Sequence, residues 1–403
     1  MEQGADPAGP LHGLRICELS TVLAGPFCAM VLADLGADVV KVEPPEGDAT
    51  RGYGPPWVGQ GAHRVAAYYL AVNRNKRSLR LDLRQPEGRA VLGRLLARSD
   101  ALIENFRPGG LARLGLDDAA LAELNPRLAH LAITGFGPDG PDAGRPGYDF
   151  IAQAVGGLMS ITGFPSEADG QPTKVGVAIS DIVTGLLGAI GLLAVLREGR
   201  GQRIDVSLLE STLAVLINQA QNAFVSGVAP SRLGNAHPNI VPYETFSTTD
   251  GEIAVAVGSE RQWPRLCAAL DLEAVAADPR FVDNDARVRY RTVLRPILAE
   301  RFATADSSHW LGRLDAAQVP CGPVNDVLAA FAQPQARARN MTVEVVHPLL
   351  GNITQVGGPI KLSTTPGSIR SPPPLLGEHS ADVLAELGYD AGQIAQLRAA
   401  GVI

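Results

Sequence analysis

Short apolar segments rich in β-branched residues alternate with longer segments of helical periodicity in the first third of the chain. The segments that predict strands are residues 15–19, 37–42, 101–105 and 128–134. Between the first two, residues 27–35 carry apolar side chains at helical spacing, and the preceding Pro26 suits a first helical turn. Strands that alternate with helices are typical of βαβ units. The pattern predicts an α/β fold whose large domain is Rossmann-like, with a parallel sheet.

The pattern changes in the second half of the chain. Helical periodicity dominates residues 182–196 and 206–224, and the joining segment GRGQRIDV predicts a turn and a strand. A new strand signal at residues 251–257 is followed by several helices, which predicts a smaller α+β domain. A last helix at residues 380–387 is expected to return to the first domain. The predicted domains are the large domain at 1–215, the small domain at 216–333, and a linker with the C-terminal return at 334–403.

Composition and charge restrict the classes of function. The chain has 403 residues, of which 46% are hydrophobic and 19% charged, and its net charge is −7. An acidic protein of this kind has no overall basic field for nucleic acid or for an anionic membrane surface. The apolar run at 182–196 is shorter than the roughly 18 residues that span a bilayer, so we interpret it as a buried helix.

Cysteine usage and the first residues bear on the compartment. The first ten residues, MEQGADPAGP, lack the cationic and apolar regions of a secretory signal. The four cysteines are far apart, which argues against a disulfide framework and against a cysteine zinc site. We expect a cytoplasmic protein with reduced thiols that binds neither nucleic acid nor a membrane.

A dinucleotide site is disfavoured by the glycine pattern. The loop after the first strand, TVLAGP, has one glycine, although Glu43 stands where a ribose-binding acid is expected. The only G-x-G-x-x-G match, at Gly135, Gly137 and Gly140, continues into Pro141 rather than into a helix, so we expect a turn there. No metal motif such as H-E-x-x-H occurs in the sequence, so no metal site is predicted. No Ser-His-acid spacing of a catalytic triad occurs either.

Asp181 lies where the short extended segment KVGVAIS gives way to the most apolar helix of the chain. The residues alone leave two roles open. A carboxylate there is a common N-cap of a helix, and this role is favoured by position. The helix start also favours the ionised carboxylate, which would keep it available as a nucleophile.

Three other segments have both a functional and a structural interpretation. Arg74, the run Asn75-Lys76-Arg77 and Arg84 gather positive charge that would suit a phosphate-rich ligand or a solvated surface. The segment ENFRPG at 104–109 follows a strand, at the edge where open α/β sheets bind ligands. His237, in GNAHPNIVPYETF, lies in a loop that could close over a substrate, or is a surface or packing histidine.

Taken together, these segments resemble the class III CoA-transferases, a family that includes formyl-CoA:oxalate transferase, carnitine CoA-transferase, succinyl-CoA-dependent dicarboxylate transferases and α-methylacyl-CoA racemases. The resemblance covers nearly the whole chain. The matching motifs are LAGPFCAMVLADLGADVVKVEPP, NRNKRSLRLDL, ENFRPGGLARLGL, GYDFIAQAVGGLMSITG, VGVAISDIVTG, GRGQRIDVSLLES, CGPVNDV and LLGEHSADVLAELGY.

The resemblance implies roles for particular residues. The family's nucleophilic aspartate falls on Asp181, which replaces the capping interpretation. Arg84 and Arg113 are implied as partners of the CoA phosphates, and Asn235 and His237 are placed near the acyl group. All implied CoA contacts are Val22, Leu23, Ala24, Leu81, Arg84, Asn105, Phe106, Arg107, Arg113, Arg145 and Tyr148.

The resemblance also implies a mechanism and an assembly. Asp181 would attack an acyl thioester to form a mixed anhydride, and the released CoA thiolate would convert it into an aspartyl-CoA thioester. Coenzyme A is then a substrate, and no permanently bound cofactor is expected. The partners are an acyl-CoA, a carboxylic acid and a second copy of the chain in an interlocked homodimer.

Two alternatives to the transferase remain, and the acceptor acid is a separate question. The family's racemases have a histidine where this chain has Tyr148, and a phenol is a poorer base at neutral pH, which favours the transferase. A CoA-binding protein without catalysis is disfavoured by the presence of Asp181. Leu23 and the segment RLGNAHPNI depart from the formyl/oxalate pattern, so we expect succinyl-CoA as donor and a (di)carboxylic acid as acceptor.

Overall fold

The computed structural model describes residues 9–61 and 64–403. These residues form two compact units. The first comprises the described residues up to Leu158 together with Val175–Ile217 and Pro334–Ile403, and the second comprises Met159–Lys174 and Asn218–Gln333. The chain therefore leaves the first unit twice. The prediction that no secretory signal precedes the fold concerns the first ten residues, of which only Gly9 and Pro10 are described.

Strands and helices alternate along most of the first unit. The strands of the chain are β1 Arg15–Glu18, β2 Asp38–Glu43, β3 Trp57–Val58, β4 Val65–Ala66, β5 Lys76–Arg80, β6 Ala101–Glu104, β7 Ala129–Thr134, β8 Gln202–Ser207, β9 Tyr243–Ser247, β10 Glu252–Ala256, β11 Cys321–Pro323, β12 Thr342–His347 and β13 Gly351–Val356.

The helices are α1 Ala24–Asp34, α2 Ala67–Ala71, α3 Pro86–Leu96, α4 Asp118–Leu124, α5 Asp149–Val155, α6 Leu158–Ile161, α7 Ile179–Glu198, α8 Leu208–Ala214, α9 Ile217–Ser226, α10 Gln262–Ala269, α11 Glu273–Ala276, α12 Asn284–Arg289, α13 Arg291–Phe302, α14 Ser307–Ala316, α15 Val327–Ala332, α16 Pro334–Ala338, α17 Ser380–Glu386 and α18 Ala391–Ala399.

A six-stranded sheet organises the first unit, with the strand order β5-β2-β1-β6-β7-β8. All neighbouring strands in it are parallel, as predicted. The chain proceeds from β1 towards β5 on one side and then crosses to β6 on the other. The carboxyl ends of β1 and β6 therefore flank a topological switch point, where open α/β sheets bind ligands.

Two apolar layers cover the faces of this sheet. On one face, α1 and α7 pack on buried residues such as Ile16, Val39 and Leu131. On the other face, α3 and α17 cover Val40 and Leu102. The C-terminal part of the chain thus belongs to the first unit.

A close approach between α1 and α7 fixes the start of α7 relative to the loop after β1. A Cβ atom on Gly185 would lie 2.6 Å from the carbonyl oxygen of Ala24, so glycine is required there. Gly185 is one turn after Asp181, and this contact brings the nucleophile candidate towards the first residues of α1.

Helix α7 is also long and apolar enough, by length and composition alone, to cross a membrane. Core helices pass the same test. Its buried side, which includes Thr184, Leu192 and Val195, packs against α1, β7 and β8. We therefore retain the interpretation of this segment as a core helix, which runs three residues further at its start than the pattern predicted.

The second unit is built on an antiparallel sheet of three strands, in the order β11-β10-β9. Helices α10, α13 and α14 supply a separate apolar core with Phe246, Phe302 and Trp310 at its centre. The stacked rings of Phe246 and Phe302 lie 4.7 Å apart. The second unit thus has its own antiparallel sheet and its own helices.

Two local predictions are wrong. Residues 206–224 were expected to be helical throughout, but β8 extends to Ser207 and two helices follow it. Strand β5 was not predicted, because its sequence KRSLR is dominated by charged side chains. Two of these charges are paired within the fold, since Lys76 lies beside Glu18 and Arg77 beside Asp38 and Glu386.

Candidate active site

A cavity of about 240 Å³ opens at the switch point of the sheet. It is formed by the loops that follow β1, β6 and β7 together with the first turn of α7. Nine of the sequence-predicted residues line it together, namely Val22, Leu23, Ala24, Asn105, Phe106, Arg107, Arg145, Tyr148 and Asp181. The geometry thus gathers residues that are up to 159 positions apart in the chain.

Asp181 is the third residue of α7 and not its N-cap, which is Ala178. The capping role favoured by position is therefore wrong. The expected bias towards the ionised form is wrong as well. Burial, with a further contribution from the negative charge of Asp149, raises the pKa of Asp181 from 3.8 to about 7.

The surroundings of the Asp181 carboxylate explain why its pKa is raised. Among the residues that the structure describes, no cation lies within ion-pairing distance of it, and burial and Asp149 are the causes of its pKa shift. A carboxylate without a counter-charge is poorly stabilised when ionised. It is consequently a stronger base and nucleophile than an ordinary aspartate, while still ionised in a large fraction of molecules near neutral pH.

Asp149, which the sequence reasoning missed, organises the start of α7. Its Oδ1 accepts a hydrogen bond of 2.8 Å from the Ser180 backbone N–H, and its Oδ2 accepts one of 2.8 Å from Gln153 Nε2. It thereby satisfies an N–H group in the first turn of α7. The motif GYDFIAQ, which contains Tyr148, contains Asp149 as the next residue.

Two glycines bring Tyr148 to the pocket. A Cβ on Gly147 would lie 2.6 Å from the Cα of Gly135, so the ends of this loop touch through backbone atoms alone. Tyr148 then stands immediately before α5 with 63% of its surface exposed. No helix follows Gly140 before Asp149, which confirms the turn predicted for these glycines.

The loop between β1 and α1 has an unusual backbone. Val22 has a φ of 69°, a left-handed conformation that is rare and costly for a β-branched residue. Asn105 holds the preceding peptide from both sides. Its Oδ1 accepts from Thr21 N at 3.0 Å, and its Nδ2 donates to Thr21 O at 2.8 Å. The side-chain amide of Asn105 is therefore engaged with the protein, so its predicted contact with CoA is accompanied by a structural role.

A buried carboxylate shapes the neighbouring turn after β6. Glu104 Oε2 accepts a hydrogen bond of 2.6 Å from Phe106 N, and its Oε1 lies 3.4 Å from His130 Nε2. These contacts fix the turn from which Phe106 and the exposed Arg107 reach the cavity. Arg145 lies over the ring of Phe136, 4.8 Å from its centroid.

Three predicted CoA contacts lie outside this cavity. The Leu81 side chain is 1% exposed and belongs to the core of the sheet. Arg84 is exposed and forms ion pairs with Asp82 and Glu46 at 2.8 and 3.5 Å. Arg113 is exposed as well. Their contacts with CoA stay predictions.

The positive charges at residues 74–77 are paired with carboxylates. Arg74 pairs with Asp34 at 2.7 Å, Arg77 pairs with Asp38 at 2.6 Å, and Lys76 is fully buried beside Glu18. Both interpretations from the sequence are therefore wrong for the buried Arg74 and Lys76, whereas Arg77 is partly exposed at the surface.

Tyr68 is a second residue near the site that the sequence reasoning missed. Burial raises its pKa, and the charges of Asp181 and Asp149 contribute to the same shift. Its ring meets Tyr53 edge-on at 5.6 Å. The segment AAYYLA gave no periodic or motif signal that distinguishes Tyr68 from its buried neighbour Tyr69.

Asn235 and His237 lie in the second unit. Asn235 Nδ2 donates to Thr245 Oγ1 at 3.0 Å, and the ring of His237 lies 5.3 Å from that of Tyr243. Burial, followed by the charge of Arg291, lowers the pKa of His237, so the imidazole is neutral near pH 7. Their predicted position near an acyl group stays a prediction.

The composition of the site also bears on metals and disulfides. Within residues 9–61 and 64–403, no group of three or more His, Cys, Asp or Glu side chains is placed to hold a metal ion. All four cysteines are free thiols, and three of them are buried. The polar side chains that line the cavity include one carboxylate, Asp181, together with Arg107, Arg145, Tyr148 and Asn105.

Comparison with known proteins agrees with this chemistry. Residues 11–380 match the sequence profile of CoA-transferase family III. The chain is 47% identical over 385 residues to a succinate–glutarate CoA-transferase of Agrobacterium fabrum, covering 94% of this chain and 96% of that protein. It is 41% identical over 400 residues to the human succinyl-CoA:glutarate CoA-transferase, covering 98% of this chain and 90% of the human protein.

A solved structure supports the same assignment. The crystal structure of a CaiB/BaiF family protein from Brucella suis superposes with a TM-score of 0.84 at 44% identity, covering 94% of this chain and 99% of that one. The family resemblance inferred from the motifs is therefore confirmed. The chain belongs to CoA-transferase family III.

Proposed function

We propose that this CoA-transferase moves CoA from succinyl-CoA to a dicarboxylic acid such as glutarate through a covalent thioester on Asp181. The single observation that carries the proposal is the Asp181 carboxylate, which lines the switch-point cavity and has its pKa raised to about 7 by burial and by Asp149. Structural carboxylates are normally paired with a cation or with hydrogen-bond donors. An unpaired one in a cavity is a candidate nucleophile.

The reaction proceeds in two symmetrical halves. Asp181 attacks the thioester carbon of succinyl-CoA, which gives a mixed succinyl–aspartyl anhydride and the CoA thiolate. The thiolate attacks the aspartyl carbonyl and releases succinate, leaving aspartyl-CoA. The acceptor carboxylate then attacks aspartyl-CoA to form a second anhydride and thiolate. The thiolate finally takes the acceptor acyl group and restores the Asp181 carboxylate.

Each half exchanges one activated acyl bond for another, so no nucleotide is consumed. Both anhydrides must be kept from water, or the activated acyl groups would be lost as free acids. The cavity walls formed by residues 22–24 and 105–107 supply this shielding beside Asp181. In the same proposal, Arg107 and Arg145 contact the CoA moiety within the cavity, and Arg84 and Arg113 bind its phosphates beyond it.

The choice of donor and acceptor rests on the named relatives. Both curated relatives described above carry names that specify succinate or succinyl-CoA together with glutarate. The departures of Leu23 and RLGNAHPNI from the oxalate pattern agree with this choice. We further propose that the enzyme is a cytoplasmic homodimer and that Asn235 and His237 contact the acyl group.

Product analysis tests the proposal directly. The protein is incubated with succinyl-CoA and glutarate, and glutaryl-CoA and succinate are expected in equal amounts. Pentanoate, which has the same chain length but one carboxylate, is the matched acceptor and is expected to react far more slowly. Formation of pentanoyl-CoA at the same rate would contradict dicarboxylate specificity.

A second arm separates the transferase from the racemase. The protein is incubated with a 2-methylacyl-CoA in deuterated water, and no deuterium is expected at the α-carbon. Exchange of that proton without CoA transfer would show the racemase chemistry and would remove the nucleophilic role of Asp181.

His237 is tested in the same assay. If it contacts the acyl group, His237→Ala raises KM for the acid or lowers kcat, whereas the thermal unfolding temperature stays the same. Unchanged kinetics would remove His237 from the site.

A further inference from the structure

Four fully buried ionisable side chains lie together beneath the loop that joins β1 to α1. They are Glu18, Lys41, Asp48 and Lys76, whose side chains are 0% exposed. Lys41 Nζ lies 3.1 Å from Glu18 Oε1 and 2.9 Å from Asp48 Oδ2, and Lys76 Nζ lies 2.9 Å from Glu18 Oε2. We call them the lysine cluster. With two carboxylates and two ammonium groups, its charges balance.

The two ammonium groups hold opposite ends of the loop. Lys41 Nζ donates to Ser20 O at 2.8 Å, and Lys76 Nζ donates to Pro26 O at 2.9 Å. Ser20 Oγ in turn donates to Glu18 Oε1 at 3.1 Å. The backbone from Ser20 to Pro26 is therefore bound from below at its entry and at its exit.

The middle of the same loop is bound from the sides. Asn105 pairs with both polar groups of the Thr21 backbone, and Asp48 Oδ1 accepts from Val22 N at 3.5 Å. Asp48 is itself fixed through two contacts with Thr50, at 2.9 Å from N and 2.7 Å from Oγ1. The left-handed conformation of Val22 persists because its surroundings hold it on both sides.

Burial and the neighbouring charges shift the pKa values of the two lysines in opposite directions. Burial alone would lower the pKa of Lys41, but the carboxylates of Glu18, Asp48 and Glu43 raise it above its usual value. For Lys76 burial prevails over Glu18, with a further lowering by Lys41, and its pKa falls to about 8. Within the lysine cluster, Glu18 lies within ion-pairing distance of both ammonium groups, and Asp48 only of Lys41.

None of these four side chains lines the cavity, whereas the loop that they hold does, through residues 21–24. Buried ion pairs contribute little net stability compared with apolar residues of the same volume. A neutral core would fill this space as well, but it would leave Ser20 O without its donor and would remove the contact of Lys76 with Pro26 O in the first turn of α1. The structural contacts therefore favour a positioning role over a purely stabilising one.

We propose that the lysine cluster positions the β1–α1 loop for acyl transfer, with Glu18 as the residue that sets it. The proposal rests on the proposed role of Asp181, because the loop is placed against that carboxylate. By balancing both ammonium groups, Glu18 keeps Ser20 and Pro26 in place. It thereby keeps the strained backbone at Val22 and Leu23 correctly positioned against the reacting carbonyl of the acyl-CoA.

Glu18→Gln is the main test, since it keeps the shape of the side chain and removes its charge. The rate of aspartyl-CoA formation at saturating succinyl-CoA is expected to fall about 10- to 100-fold, the scale of a displacement near 1 Å in an active site. KM for succinyl-CoA is expected to change less than about 3-fold, because the predicted phosphate-binding arginines are untouched. Peptides covering residues 20–26 are expected to exchange amide hydrogens faster.

Asp34→Asn is the matched control. Asp34 ends the same helix α1 and carries a comparable ion pair, at 2.7 Å to Arg74, at the end away from the cavity. It loses one carboxylate charge, as Glu18→Gln does, but it leaves the loop contacts intact. Its rate of aspartyl-CoA formation is expected to stay within about 2-fold of the unmodified protein.

If Glu18→Gln does not fold, Asp48→Asn replaces it. An asparagine can still accept from Thr50 and Val22 but no longer balances Lys41, so a smaller rate loss of about 3- to 10-fold is expected. The proposal is overturned if the variants at Glu18 and Asp48 lose activity only in proportion to their loss of folded protein, or if Asp34→Asn loses as much activity. An unmodified protein that forms no aspartyl-CoA would instead overturn the proposed function.

Discussion

Two groups of carboxylates lie at the carboxyl edge of one sheet, one fully buried and one partly buried, and their surroundings are opposite. Glu18 and Asp48 face two lysine ammonium groups and are neutralised within 3.1 Å. Asp181 lies beside the negative Asp149, and in the described part of the chain it has no cation within the same distance. The carboxylates that face ammonium groups thus help to hold the backbone of the loop after β1, whereas Asp181, which we propose as the nucleophile, has no such partner among the described residues.

The largest effect is expected from removing the unpaired carboxylate. Asp181→Asn keeps the shape of the side chain but has no nucleophilic oxygen, so kcat is expected to fall about 10⁴-fold in a steady-state transfer assay. Glu198→Gln, at the exposed end of the same helix, is the control and should keep normal turnover. Near-normal turnover of Asp181→Asn would end the covalent mechanism.

Removing one cation from the lysine cluster should lower the stability of the protein. Lys41→Met leaves Glu18 and Asp48 facing each other without one of their cations, and this should lower the free energy of unfolding by about 3–5 kcal/mol. Denaturant unfolding followed by circular dichroism measures the loss. An unchanged midpoint would show that the lysine cluster is not electrostatically coupled.

The same comparison predicts a pH-dependent gain in stability for Asp181→Asn. Because folding raises the pKa of Asp181 from 3.8 to about 7, the folded state binds more protons in that window, and the ionised carboxylate destabilises it at higher pH. The variant should therefore melt at a higher temperature than the unmodified protein at pH 8. This advantage should shrink as the pH falls below about 7 and vanish below 3.8; a constant difference would contradict the assigned pKa.

The smallest effect concerns Asp149. The value of kcat/KM should rise with pH and level off above about 7, as Asp181 ionises. Asp149→Asn retains an acceptor for Ser180 N but removes the neighbouring charge, so the midpoint should move to lower pH. The shift should be less than about 1 pH unit, because burial is the larger cause. A midpoint that moves upward would show that Asp149 acts in another way.

The fold could be predicted from the sequence wherever apolar periodicity reports burial directly. The strands at β1, β2, β6 and β7 are apolar runs that become the centre of the sheet, and α1 and α7 have the apolar composition of core helices. Strand β5 escaped prediction because periodicity treats charged side chains as exposed, whereas Lys76 is buried beside Glu18 and Arg77 is paired with Asp38. Residues 159–174, which belong to the second unit, have no apolar periodicity that would have assigned them to it.

Only those site residues that belong to recognisable sequence motifs could be predicted. Family resemblance brought Asp181 and eight predicted CoA contacts to one cavity, although they are dispersed along the chain. It did not reveal that Asn105 holds Thr21, nor that Lys76 is buried, because both facts depend on contacts across the sheet. The environment of Asp181 was equally invisible, since position in a helix suggested an easily ionised carboxylate and tertiary burial reverses that.

The covalent role of Asp181 is tested most directly by mass spectrometry of the intact protein mixed with succinyl-CoA, followed by trapping with hydroxylamine or borohydride and peptide mapping. We expect a CoA adduct on the intact protein and a trapped modification that maps to Asp181 and is absent in Asp181→Asn. A protein that transfers CoA to glutarate while forming no adduct, or forming it on another residue, would contradict the claim that the unpaired carboxylate is the nucleophile.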